Sequence, residues 1–120
     1  MLTVESPQKA LEYFDSMLEF TTESGDLHEM IKNNEVNVVD VREEKDYKKS
    51  HIPGAINIPQ DKWSDCRGLV HDKPNVVYCY NMLCYLAPKA CREFARCGYP
   101  VMMLLGGFKG WERSRLPVEV

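Results

Sequence analysis

Long aliphatic runs are missing from this chain of 120 residues: the longest, "VMMLL" at 101–105, has five residues, where an α-helix needs roughly 20 to cross a bilayer. An excess of positive charge is missing too. Fifteen Lys and Arg stand against eighteen Asp and Glu, for a formal net charge of -3. With no basic stripe to override that balance, binding along nucleic-acid phosphates is not expected. The start, "MLTVESPQKALEYF", lacks the basic head and apolar middle of an export signal, so the expected compartment is the cytoplasm. There is no internal repeat and no low-complexity segment. Five cysteines are present, an odd number without an export signal, which argues against a structural disulfide framework. The default role of each is that of a small buried hydrophobe.

What remains is the composition of one globular domain, 44% hydrophobic and 28% charged, with length for a single core. The spacing predicts an amphipathic helix over 6–20, capped by Ser6 with Pro7 at its first position. Ala10, Leu11, Phe14, Met17 and Leu18 share one face of it. A shorter helix follows around Leu27, Met30 and Ile31, ending near Asn33 and Asn34. "VNVVDV" (36–41) reads as a strand buried on both faces, "REEKDYKKSH" as a short exposed helix, and "AINIP" as a second brief strand. Residues 60–74 read as irregular with one helical turn. "VVYC" (76–79) is the next strand. A helix over 86–97 follows, with Ala87, Ala90, Cys91, Phe94 and Ala95 on one face and Gly98 as its stop. "VMMLL" is another strand, and "GGFKGWERS" a last short helix. Valine-rich strands alternating with helices imply a mostly parallel sheet covered on both faces.

Cys79 ends one of these strands, at the sheet end where α/β proteins bind ligands. The residues after it must curl back to start a helix. Such a loop can aim backbone N–H groups at an anion beside a helix N-terminus. No proline interrupts 80–85, so every N–H there is available. A cradle of this kind is expected to hold a thiolate and to lower the pKa of Cys79, making it a nucleophile toward sulfur, phosphorus or arsenic centres. The alternative is that Cys79 only ends a buried strand. Pro53-Gly54 fixes a turn, His51 reads as a hydrogen-bonding turn residue, Asp40 and Arg42 pair or cap locally, and Trp111 belongs to the core. Gly106-Gly107 allows positive φ and a close backbone approach to the Cys79 loop.

"YKKSHIPGAINIP" (47–59) resembles the N-terminal signature of rhodanese domains, and "LLGGFKGW" (104–111) their C-terminal signature, with "NVVDVRE" and "VVYC" in the family's order. The match runs from about residue 22 to 118, leaving residues 1–21 as an N-terminal helical extension and 22–120 as the rhodanese-like domain. The resemblance implies a five-stranded, mostly parallel α/β sheet with helices on both faces, and sulfurtransferase activity without metal or other cofactor. Cys79 would accept sulfane sulfur as a persulfide and pass it to a thiol, cyanide or a protein acceptor. Tyr80, Asn81, Met82, Leu83, Cys84 and Tyr85 would form the cradle. Single-domain rhodaneses typically carry Gly, Arg and Ser or Thr where this chain has Met82, Cys84 and Tyr85. With no cation in the loop, weak use of thiosulfate is expected, because a sulfonate-like donor loses its charge-assisted hydrogen bonds. A polysulfide, a persulfide or a protein partner suits the apolar rim better.

Cys84 is expected either to resolve a persulfide or sulfenic state of Cys79 or to fill the arginine's space by packing. C-x4-C and C-x5-C spacings do not suit a metal, and Cys66 has no evident partner. The competing function is a rhodanese fold kept for binding or regulation. Phosphatase or arsenate-reductase chemistry, found in related domains, is disfavoured by the missing arginine. The 6–20 helix either packs on its own domain or makes a dimer contact, so the chain is expected as a monomer or homodimer.

Overall fold

The computed structural model describes residues 6–120; the first five residues of the expected N-terminal extension lie outside it. Eleven segments of regular structure follow in chain order: α1 (Pro7–Glu19), β1 (Thr21–Thr22), α2 (Ser24–Lys32), β2 (Asn37–Asp40), α3 (Glu44–Lys49), β3 (Ile56–Asn57), a 3-10 segment (Gln60–Asp65), β4 (Asn75–Tyr78), α4 (Leu86–Arg96), β5 (Val101–Leu104) and α5 (Gly107–Arg113). The strands form one sheet in the order β1-β5-β4-β2-β3, and each neighbouring pair is parallel. The expected fold class is therefore present. The fifth strand, β1, was not read from the sequence. Its two threonines have no apolar alternation, and they join the sheet only because Thr21 and Thr22 align with Met103 and Leu104 of β5.

Side chains of a strand point alternately to opposite faces, and this divides the core in two. Val38, Val76 and Tyr78 join Leu27, Ile52, Phe108 and Trp111 on one side. Val39, Val77 and Cys79 join Trp63, Ala87, Ala90 and Phe94 on the other. Cys79 thus lies on the α4 side by the parity of β4. Asn75, fully buried at the start of β4, is hydrogen-bonded at both ends of its amide: Oδ1 accepts from the Asn37 side chain and Val70 N–H, and Nδ2 donates to the carbonyls of Val70 and Pro100.

Local signals read from the sequence hold at several joints. Ser6 caps α1 through Gln8 N–H. Asn34, just past α2, has φ of 55°, the left-handed conformation that asparagine tolerates. Pro88 sits in the first turn of α4, where its missing N–H is no loss. His51 is buried, with Nδ1 2.8 Å from the Tyr47 carbonyl. It exchanges two backbone hydrogen bonds with Glu119, so it anchors the C-terminal segment. Trp111 is buried and donates to the Pro117 carbonyl at 2.7 Å. By contrast α1 contains no buried residue; Leu11, Phe14 and Leu18 of its apolar stripe are all exposed.

Candidate active site

β4 delivers Cys79 to the carboxyl end of the sheet, and the chain then loops through 80–85 to the start of α4. Two contacts fix the loop from the side of α5. Phe108 N–H donates to the Cys79 carbonyl and Lys109 N–H to the Tyr80 carbonyl, both at 2.9 Å. Gly106 and Gly107 have φ of 84° and 59°. A Cβ on Gly107 would stand 2.8 Å from both Asn81 N and the Cys79 carbonyl oxygen, so the expected close approach is real. Gly107→Ala is expected to push the loop away and to cost about 1–3 kcal/mol, from strain at positive φ plus a clash with backbone. Chemical denaturation checks it; a change under about 0.5 kcal/mol would show that the loop adjusts freely.

Asn81 orders the loop from within. Its Oδ1 accepts from Leu83 N–H at 2.9 Å, and its carbonyl accepts from Cys84 N–H at 3.2 Å. These two amides are consumed inside the turn, which corrects the expectation that every N–H from 80 to 85 is open to an anion. The donors that reach sulfur come from elsewhere. The N–H groups of Tyr80 and Ala87 favour the anionic form of both thiols, and that of Leu86 the anionic form of Cys84. The first turn of α4, rather than the loop, supplies most of the cradle, because its opening N–H groups have no partner within the helix.

The residues expected to form the cradle separate accordingly. Tyr80 contributes its amide, while its ring turns to α3: the hydroxyl donates to Asp46 Oδ2 at 2.6 Å and accepts from Glu43 N–H at 3.2 Å. Met82, Leu83 and Tyr85 are exposed and form an apolar rim. Asn81, Met82, Cys84 and Tyr85 also line a small cavity of about 100 Å³ beside Cys79, closed on the other side by Met103, Gly106 and Gly107.

The Cys79 thiol donates to the Cys84 carbonyl at 3.7 Å, and the two thiols are near enough to shift each other's acidity. Their acidities diverge. Burial pushes the Cys79 thiol up to about 12, and the bond to Cys84 adds to the rise against the pull of the Ala87 and Tyr80 N–H groups. Burial acts upward on Cys84 as well. There the hydrogen bond from Cys79 and the N–H groups of Leu86, Tyr80 and Ala87 outweigh it, and its pKa falls below the ordinary thiol value. The expected lowering at Cys79 is therefore not present in the dithiol: the cradle acts on the sulfur five residues later, because Cys79 is 1% exposed and desolvation disfavours its anion.

A thiol is alkylated through its anion. Cys84 should thus react with iodoacetamide at neutral pH, and Cys79 should stay unreactive until strongly alkaline pH. Peptide mapping after timed alkylation at pH 6–10 checks the order; faster labelling of Cys79 would refute it.

The other three cysteines have different surroundings. Cys91 is held up to about 12 by burial and donates to the Met102 carbonyl, a packing role. Cys66 does have a neighbour: its thiol donates to the Trp63 carbonyl at 3.5 Å and stands near enough to Cys97 for that thiol to help raise its pKa, after burial. The sequence reading missed this pair, since only the packing of the 3-10 segment on α4 brings the two ends together. The expected pairing of Asp40 and Arg42 is found, and it is buried: Arg42 Nη2 lies 2.8 Å from Asp40 Oδ2, with the two side chains 5% and 0% exposed.

Comparisons with known proteins extend this description. The chain matches the sequence model of the rhodanese-like domain over residues 23–114. It is 41% identical over 86 residues to an HTH-type transcriptional regulator of Mycobacterium tuberculosis, which covers 71% of this chain and 38% of that protein. The chain thus spans well under half the length of that relative. It is 29% identical over 93 residues to the thiosulfate sulfurtransferase GlpE of Actinobacillus pleuropneumoniae, covering 76% of this chain and 84% of the relative. A crystal structure of the BH2092 protein from Bacillus halodurans superposes with a TM-score of 0.84 at 35% identity, covering 95% of this chain and 86% of that one.

Proposed function

The chain belongs to the rhodanese-like domain family, and from that membership we propose that it is a sulfurtransferase moving sulfane sulfur through the thiol pair Cys79 and Cys84. The observation that carries this reading is the pair itself. Two thiols meet in one small apolar cavity at the carboxyl end of the central strand, within reach of backbone N–H groups. Membership in the family and similarity to a thiosulfate sulfurtransferase support the reaction class.

Cys84 is the less buried thiol, so it meets the donor and takes the sulfur first. Its thiolate attacks the outer sulfur of a donor R–S–S–H. The donor's S–S bond breaks, RS⁻ leaves, and Cys84 becomes a persulfide. Cys79 then attacks that outer sulfur. The new S–S bond forms on Cys79, the bond to Cys84 breaks, and the proton lost by the Cys79 thiol ends on the Cys84 sulfur. The cargo ends on Cys79, buried and shielded from solvent. An acceptor thiol or cyanide removes it by the same attack on the outer sulfur.

Residues 80–85 contain no cation, which supports a polysulfide or persulfide as donor over thiosulfate. Incubation with each donor and intact-mass measurement tests the proposal. Polysulfide should add one cyanide-labile sulfur at least ~10-fold faster than thiosulfate, the difference expected from one missing charge-assisted contact. No gain with any sulfane donor sinks it. Loss of two hydrogens with release of sulfide would make Cys84 a resolving thiol instead.

A second reading is a sensing module. It is favoured by similarity to a protein named as a transcriptional regulator, of which this chain spans 38%. A chain that loads one sulfur but does not turn over with excess cyanide or thiol would fit that reading better.

A further inference from the structure

Beside the thiol cavity lies a second, open groove of about 560 Å³. Gly106 and Gly110 leave its floor without side chains. Met82 and Leu83 form one wall, and Lys109 and Arg113 the other. Asn81, Met82 and Gly106 line both the groove and the cavity at Cys79, so the two spaces adjoin.

We infer that this groove seats the anionic arm of a small thiol carrier, with Lys109 and Arg113 recognising its carboxylates while the carrier's sulfur enters the cavity at Cys84 and Cys79. The inference rests on the sulfur-transfer reading and names the class of donor or acceptor. Four observations carry it. Lys109 and Arg113 are four apart on α5, so both project from one helix face. Among the described residues neither forms a salt bridge, although the chain as a whole is acidic. Their helix is clamped to the loop by the hydrogen bonds from Phe108 and Lys109 to the Cys79 and Tyr80 carbonyls, which holds both cations at a fixed register from the thiols. And the volume falls within the range of small-molecule sites, roughly 300–1,000 Å³, which favours a low-molecular-weight carrier over a protein surface. The positive charge absent from the loop is thereby placed one element away. There it contacts the far end of a longer donor and not the oxygens of a short one. The apolar wall of Met82 and Leu83 accommodates the stretch between sulfur and carboxylate.

S-methylglutathione, which keeps both carboxylates but cannot react, is the probe. Its binding to the full chain is followed by titration calorimetry, against its dimethyl ester, in the wild type and in the Lys109→Glu/Arg113→Glu double variant. Both substituted side chains are exposed, so the variant should fold, and circular dichroism verifies it. The wild type should bind the diacid at least ~10-fold more tightly than the diester, with an affinity that falls as salt rises. The double variant should lose that preference. Separately, glutathione persulfide should load the double variant at least ~10-fold more slowly than the wild type, and the persulfide of 2-mercaptoethanol, which has no carboxylate, should load both equally within about twofold. Equal binding of diacid and diester, or a preference that survives charge reversal, overturns the groove assignment even if polysulfide still loads Cys79. If binding behaves as expected but no donor loads sulfur, the groove stands and the sulfur-transfer reading falls.

Discussion

Cys79→Ser should abolish stable sulfur loading, with turnover from a persulfide donor to cyanide falling by at least ~10³-fold, the scale of losing a covalent nucleophile. Serine fits the space, so the fold should be unaffected. Its oxygen cannot carry a sulfane sulfur. Cys84→Ser should behave differently. The cavity and the amides of Tyr80 and Ala87 remain, so Cys79 should still load, but ~10- to 100-fold more slowly, because the more acidic entry thiol is gone. The two variants together separate storage from entry. In Cys79→Ser, sulfur on Cys84 should be no more than a trace that neither accumulates nor supports turnover. Intact mass over time, with peptide mapping, reads all of this. Full turnover in Cys79→Ser would transfer the storage role to Cys84 and end the mechanism as drawn.

Asp40→Ala should destabilise the chain by about 3–5 kcal/mol, the cost of leaving a buried charge without its partner. Oδ1 of Asp40 accepts from Arg42 N–H and Nε, and Oδ2 from Arg42 Nε and Nη2 and from the Tyr78 hydroxyl at 2.7 Å. Removing the carboxylate strands a guanidinium that sits 4.2 Å over the Phe108 ring and a hydroxyl inside the core. A domain of this size has roughly 5–15 kcal/mol in total, so the variant should be close to unfolding at 37 °C. Asp40→Asn, which keeps an acceptor for Tyr78, should cost less. Urea denaturation with an unchanged m-value is the measurement; a shift below about 1 kcal/mol for Asp40→Ala would show that water reaches the pair.

Much of the fold was legible because it rests on local signals. Alternating valine-rich strands and helices, the cap at Ser6, the stop at Gly98 and the signatures at 47–59 and 104–111 each act within a few residues. β1 was not legible, since a two-residue threonine strand exists only through its partner β5. Nor was the burial of the Asp40–Arg42 pair, which depends on Phe108 and Tyr78 arriving from elsewhere in the chain. The nearness of Cys66 to Cys97 was equally hidden, as it depends on the ends of two separate elements.

At the site the division is sharper. From the residues alone came the position of Cys79 at a strand exit, the second thiol at Cys84, the missing cation and the glycine contact at 106–107, because each is a matter of residue type and spacing. The opposite pulls on the two thiols' acidities came only from the packed structure. Acidity depends on the balance between burial and the direction of particular N–H groups, and both are set by how α4, α5 and the loop close around the pair. The same closure puts Lys109 and Arg113 beside the cavity, a neighbourhood that separation along the chain does not reveal.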